Sequence, residues 1–110
     1  QPGILLALGA RGDVAAFPVL ADAARNRAGH MRLAAVQALG LLGCPKAVPV
    51  LAQAGRNASA RVREAAVEAL LAVADGADVT PQARQQGLRA ARQLAVADAQ
   101  KTAIDAIEGR

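Results

Sequence analysis

The apolar positions of this chain recur with two spacings. Within each predicted helix they return every three or four residues, which places them on one helical face. Over a longer distance, Ala7-Leu8-Gly9 returns 31 positions later as Ala38-Leu39-Gly40. Likewise, Pro18-Val19-Leu20-Ala21 returns as Pro49-Val50-Leu51-Ala52. A fixed period of this length predicts stacked helical hairpins, each of which buries its apolar side against its neighbours.

The first full repeat contains two predicted helices. Asp13 is a suitable N-cap for the first helix because its carboxylate can accept a free backbone N–H, and this helix extends to about Asn26. The second helix extends from about His30 to Leu42. Gly43 follows it, and glycine commonly ends a helix because it tolerates the left-handed conformation.

The second repeat copies this pattern. Its first helix begins at Pro45 and ends at Arg56, and Ser59 caps the helix that follows. Pro18 and Pro49 occupy the same repeat position, one turn inside the first helix of each pair. Because a proline there removes a helical hydrogen bond, we expect each of them to bend its helix and so to set the curvature of the stack.

The third repeat is longer and less regular. Thr80-Pro81 places an N-cap before a proline at the first helical position, and the helix that it starts extends to about Val96. Asp98 caps the last predicted helix, in which residues 103–107 resemble residues 66–70. Its outer face is polar, as is expected of a terminal capping repeat.

We therefore predict an all-α fold, an α-α superhelix (solenoid) of about three helical hairpins with a degenerate last one. A single domain over 1–110 would comprise the end of a preceding repeat helix (1–12), repeat 1 (13–43), repeat 2 (44–74) and a divergent capping repeat (75–110). The first ten residues are uncharged, and a helix that is apolar all round is expected to be covered on both sides. We expect further repeats upstream in a longer protein, or contact with another protomer.

The composition supports this fold and restricts the kinds of partner. Apolar residues make up 54% of the chain but aromatic residues only 1%, so we expect a core of small and aliphatic side chains. The net charge of +4 suits nucleic acid or an acidic protein. Single-strand and base recognition rely on aromatic stacking, so we rank nucleic acid below protein as a partner. No apolar segment reaches the roughly 20 residues that a membrane span needs.

Residues that could carry chemistry are few. Cys44 is the single cysteine, which excludes an internal disulfide, and a cytoplasmic location is the default. His30 is the single histidine and aligns with Arg61, a first-turn position of the repeat. Glu64 and Glu68 lie one helical turn apart and could hold a metal, but a solvated helix face explains them better. We predict no catalytic, cofactor or metal site.

The repeat has a recognisable sequence pattern. Ala47-Val48-Pro49-Val50-Leu51 is followed by Asn57, and then by Val62-Arg63 with Ala66 and Ala69-Leu70 at helical spacing. This pattern resembles the HEAT repeats, in particular the short bacterial group called PBS-lyase HEAT-like repeats. The resemblance is close over residues 38–74, good over 7–43 and weak beyond 75.

The resemblance implies a structural ladder between repeats. In such repeats an Asp in the turn between the two helices and an Arg six residues later form hydrogen bonds that link neighbouring repeats. Here Asn26 and Asn57 stand at the Asp position, and Arg32 and Arg63 stand at the Arg position. An amide oxygen can accept from a guanidinium without a charge of its own, so we expect a weaker ladder.

The resemblance also implies a function. We expect a non-enzymatic scaffold that binds another protein along its concave face, which the second helices of the repeats line. The expected contacts are outward side chains of those helices: His30, Leu33, Gln37, Arg61, Glu64, Glu68, Lys101 and Asp105. Leu33 and Leu41 would add a small apolar area. One alternative is a nucleic-acid-binding module that uses the Arg-rich surface, and a more remote one is a factor that attaches bilin chromophores.

Overall fold

Two layers of helices make up the part of the chain that the structure describes. This computed structural model describes residues 2–27, 29–56, 58–76 and 79–95, together with residues 104, 106 and 107. Its helices are α1 (Pro2–Ala10), α2 (Phe17–Asn26), α3 (Gly29–Leu42), α4 (Ala47–Gly55), α5 (Ala60–Ala74) and α6 (Pro81–Leu94). No strand occurs within these ranges.

The helices alternate between the two layers. In one layer α1 packs against α3 and α3 against α5, and in the other α2 packs against α4 and α4 against α6. The pairs α2–α3 and α4–α5 form hairpins that connect the layers. The thinnest dimension of the molecule is 18 Å, which matches two helices of roughly 10 Å each. The predicted all-α solenoid of helical hairpins is therefore confirmed.

Side-chain caps start three of these segments, as the sequence predicted. Asp13, Ser59 and Thr80 each accept a hydrogen bond from a backbone N–H two or three residues later, at 2.9, 3.3 and 3.1 Å. Each bond satisfies an N–H that has no partner inside the helix. After α3, Gly43 has a φ of 71°, the left-handed conformation expected of a glycine that ends a helix.

The two repeated prolines lie in the first turns of α2 and α4, so the predicted loss of a helical hydrogen bond one turn inside each helix is wrong. Pro18 is the second residue of α2, and a short 3-10 turn over residues 14–16 precedes it. The N–H of Phe17, the residue before Pro18, donates to the carbonyl oxygen of Val14. Likewise, the N–H of Val48, the residue before Pro49, donates at 3.1 Å to the carbonyl oxygen of Pro45. The N–H that each proline lacks therefore breaks no helical hydrogen bond, because the carbonyl four residues earlier already accepts from the residue before the proline.

The core between the layers is aliphatic. The largest fully buried side chains are Leu20, Leu39, Leu51, Leu70, Ile104, Val36, Val50, Val67 and Val73. Among the described residues no polar or charged side chain is buried. Phe17 is half-buried and packs against the edge of this core. Stability therefore comes from apolar burial and from close helix packing.

Small residues let the helices of the α1, α3 and α5 layer touch along their backbones. A Cβ built on Gly9 would lie 2.7 Å from the Cα of Ala38. A Cβ built on Gly40 would lie 2.9 Å from both the Cα and the Cβ of Ala69. The two pairs are equivalent by the 31-residue repeat, so the same contact is made twice. At the next repeat position Leu71 replaces the glycine.

Part of the third unit beyond α6 is also described. Residues 104, 106 and 107 are helical, and the side chains of Ile104 and Ile107 are buried in the core. The guanidinium of Arg84 on α6 donates a hydrogen bond to the carbonyl oxygen of Ile107. This bond links Ile107 to α6, and the two isoleucines join the core. The predicted cap Asp98 lies outside the described residues.

Candidate functional site

The outward faces of α3 and α5 carry the side chains that the sequence predicted to meet a partner. On α3 these are His30, Leu33 and Gln37, and on α5 the corresponding residues are Arg61, Glu64 and Glu68. Within each helix they are spaced by three and four residues, so they form a stripe. All are exposed except Leu33, which is half-buried. Lys101 and Asp105 lie outside the described residues.

A cavity between the two stripes brings five of these six side chains together. Its volume is about 420 Å³, and it is lined by Leu33, Gln37, Arg61, Glu64, Ala65 and Glu68. The floor is low at Ala65 because its side chain is a single methyl group. The α3 wall is uncharged here, whereas the α5 wall carries three charged groups.

Two further cavities of about 350 Å³ extend this depression at both ends. The one at the N-terminal ends of α3 and α5 shares Leu33 and Arg61 with the central cavity and adds His30. The one at the opposite end shares Gln37 and Glu68 with it. That end also includes Leu6, Gly40, Leu41, Ala69 and Ala72. The three cavities form one continuous depression, which we call the α3/α5 groove.

The apolar end of the groove contains residues that the sequence did not assign to the site. Leu6 reaches it from α1, and Ala69 and Ala72 form its floor on α5. Leu41 is 59% exposed there, and together with Leu6 it gives this end of the groove an apolar surface. The repeat pattern could have indicated Ala72, since it lies one turn beyond Glu68 on the same stripe. Leu6 could not be assigned without knowing that α1 packs against α3.

The predicted ladder residues make bonds within one hairpin. The guanidinium of Arg32 donates from Nε to the carbonyl oxygen of Arg27 at 2.9 Å, and from Nη2 to that of Arg25 at 3.3 Å. The amide of Asn26 donates to the carboxylate of Asp22 at 2.6 Å, one turn earlier on α2. Arg32 therefore satisfies carbonyl groups at the end of α2.

The second pair of ladder residues is only partly described. Asn57 lies outside the described residues, and Arg63 is half-buried on α5. A separate cavity of about 200 Å³ lies between the ends of α2 and α4 and is lined by Ala24, Arg25, Arg32, Gln53 and Ala54. It places Arg32 of the first hairpin beside α4 of the second. A ladder between repeats stays a prediction.

Four of the described arginines lie in different parts of the fold. Arg84 and Arg32 donate to backbone carbonyl groups, whereas Arg61 lines the groove and Arg89 is exposed on α6 in the other layer. The single aromatic ring, Phe17, packs against the core. A phosphate backbone would therefore meet separated guanidinium groups and no exposed ring on which a base could stack.

The residues with potential for chemistry are dispersed. Cys44 is half-buried in the turn before α4, and its carbonyl accepts a hydrogen bond from the N–H of Ala47 at 2.9 Å. Across the described ranges, no group of three or more His, Cys, Asp or Glu residues could hold a metal ion. The groove thus offers shape, one apolar end and several charges, which suit binding.

The comparison with known families agrees with this architecture. The sequence profile of the HEAT repeats matches residues 3–71, which include most of α1, all of α2 to α4 and most of α5. The chain belongs to the HEAT repeat family. Repeats of this family commonly mediate contacts between proteins and are generally non-enzymatic scaffolds. Neither curated proteins nor solved structures provide a match to this chain.

In the part of the chain that the structure describes, no helix is both long enough and apolar enough to cross a bilayer.

Proposed function

We propose that this chain is a non-enzymatic scaffold that binds a protein partner in the α3/α5 groove. The observation that carries the proposal is the continuity of the groove: three adjoining cavities follow α3 and α5, and the described side chains predicted to contact a partner line them. A groove between parallel helices suits a helix or an extended segment, held by many modest contacts.

The packing of the groove supports a binding role. The contact between Gly40 and Ala69 fixes the distance between the two helices that form its walls. A partner would therefore meet a surface that already has its bound shape, and binding would cost little ordering of the scaffold. Side chains on the walls are mostly exposed, so they are available for contact.

The finer assignments made from the sequence belong to this proposal. We place the groove on the concave side of the solenoid, and we assign the chain to the PBS-lyase HEAT-like group and to the cytoplasm. Bilin attachment is not part of the proposal, because Cys44 is half-buried and is not among the residues that line the groove.

Site-specific photo-crosslinking tests the function. A photoreactive amino acid is introduced at Gln37, in the groove, and in a second protein at Arg89, which is exposed on α6. In cells that express the chain naturally, we expect a defined protein to become crosslinked at position 37 and not at position 89. Mass spectrometry of the crosslinked peptides then identifies the contacting segment of that protein.

A competition experiment supplies the control. Unlabelled wild-type chain should suppress the crosslink at position 37, and a Gln37→Glu, Glu64→Lys double variant should suppress it much less. Both changes are at exposed positions, so the double variant is expected to fold. Equal crosslinking at positions 37 and 89, or equal suppression by the double variant, would exclude the groove as the binding site.

A further inference from the structure

The groove changes chemical character along its length. At one end Arg61 lies in the first turn of α5, close to His30 at the start of α3. Glu64 and Glu68 lie in the middle, and Glu68 lines both the central cavity and the far one. At the far end Leu41 and Leu6 form an apolar area. The order along the groove is therefore basic, acidic and apolar.

The spacing of these groups matches the turns of a helix. Arg61 and Glu68 are seven residues apart on α5, which is about 10 Å at 1.5 Å per residue. Ala72, at the apolar end, is about 6 Å further along. The total of about 16 Å corresponds to three turns of a helix. Groups on the α5 wall recur once per turn, as they would on a helix lying beside it.

The walls of the groove favour a helix over an extended segment. Both walls are α-helices, whose backbone groups are bonded within the helix except at the ends. An extended segment would find no backbone N–H or carbonyl with which to pair along the groove, whereas a helix satisfies its own backbone groups. Low alanine side chains at 65, 69 and 72 leave room for side chains of such a helix.

We propose that the groove binds an amphipathic helix of about three turns whose contact face carries an acidic, a basic and an apolar residue in that order. The acidic residue pairs with Arg61, the basic one with Glu68, and the apolar one covers Leu41. This inference rests on the proposed function and adds the chemistry of the partner. The charge of the whole chain is +4, so composition alone would not predict a basic residue in the partner.

Two synthetic peptides of about 14 residues test the order of the charges. Both are alanine-based helices held by a hydrocarbon staple on the outer side. One carries Asp, Lys and Leu in that order, with Asp and Lys about seven positions apart, and the other exchanges Asp and Lys. We expect the first to bind the intact chain about five- to tenfold more tightly, measured by fluorescence anisotropy at low salt.

A charge-exchanged protein provides the decisive comparison. The Arg61→Glu, Glu68→Lys double variant should reverse the preference between the two peptides. The control, Arg89→Glu with Gln85→Lys, places one new acidic and one new basic side chain a helical turn apart on the exposed face of α6, and it should leave the preference as in the wild type. Circular dichroism confirms that each variant retains its helices.

The outcomes separate this inference from the proposed function. Equal affinity for both peptides, no measurable binding of either, or a preference that the double variant does not reverse overturns the charge order. If crosslinking at Gln37 persists in that case, the groove still binds a protein, but one of different chemistry. Loss of the Gln37 crosslink as well would overturn both proposals.

Discussion

Gly40 of α3 lies directly against Ala69 of α5, in the pair of helices that line the groove. No side chain separates them, since a Cβ on Gly40 would lie 2.9 Å from the Cα of Ala69. The equivalent pair, Gly9 and Ala38, joins α1 to α3. The repeat therefore sets the same close spacing twice, through one glycine in α1 and one in α3.

Substitution of either glycine by alanine should destabilise the fold. In Gly9→Ala and Gly40→Ala the new methyl group overlaps the neighbouring helix, which must move away. We expect the free energy of unfolding to fall by about 1–2 kcal/mol, because overpacking exceeds the gain in helix propensity. Urea denaturation followed by circular dichroism measures the change.

Gly87→Ala is the matched control for these glycine variants. Gly87 is buried inside α6, but the nearest atoms to a new Cβ would be at 3.5 Å, an ordinary contact distance. Here the helix propensity of alanine should dominate, and stability should rise by about 0.5–1 kcal/mol. If all three variants changed stability in the same direction, the close contacts would not be the cause.

Two leucines on α3 should respond differently to truncation. Leu39 is fully buried, so Leu39→Ala should lower the free energy of unfolding by about 2–5 kcal/mol. Leu41 is 59% exposed, so Leu41→Ala should change stability by less than about 0.5 kcal/mol. The same Leu41 variant should weaken binding in the groove, and a titration with the crosslinked partner segment checks this. An effect of Leu41→Ala on stability alone would contradict its assignment to the groove.

The hydrogen bonds of Arg32 should contribute to the stability of the fold independently of the Asn26 side chain. Arg32→Ala removes the bonds to the carbonyls of Arg27 and Arg25, and we expect a loss of about 1 kcal/mol. A double-mutant cycle between Asn26→Ala and Arg32→Ala should give a coupling energy near zero, since the Asn26 amide bonds to Asp22. A coupling energy above about 0.5 kcal/mol would contradict this prediction and would support a direct interaction between the two side chains. Arg89→Ala, at an exposed site on α6, is the control.

Nucleic acid should not bind with appreciable affinity. The guanidinium groups of Arg32 and Arg84 already donate to backbone carbonyls, and no exposed aromatic ring occurs in this chain's described part. In a band-shift assay at about 50 mM salt, we expect no shift of single- or double-stranded DNA. A shift that is lost in an Arg25→Ala, Arg56→Ala variant would contradict this prediction.

The repeat pattern predicted the helices and most of their ends, because these depend on local chemistry. Asp13, Ser59 and Thr80 act as caps, and Gly43 takes the left-handed conformation at the end of α3. The predicted position of Pro18, one turn inside its helix, is wrong for a physical reason. Periodicity does not distinguish a 3-10 turn from the first turn of an α-helix, and the α-helix in fact begins at Phe17.

The groove could be predicted only in part. Gln37, Glu64 and Glu68 follow from helical spacing and from the second helix of each repeat. The part played by Leu6 depends on how α1 packs, which is a tertiary relationship. The acceptors of Arg32 could not be predicted either, because a long guanidinium side chain can reach a backbone carbonyl and a neighbouring amide equally well.

The glycine contact has a consequence for selectivity. Because the two walls contact each other through their main chains, the width of the groove is fixed. A partner too broad for the groove cannot widen it without breaking the contact at Gly40. Discrimination would then come from steric exclusion at the walls, with rotation of Gln37 and Glu68 as the main means of adjustment. Leu71 stands at this repeat position on α5, so the selectivity argued from the glycine contact applies to the groove between α3 and α5.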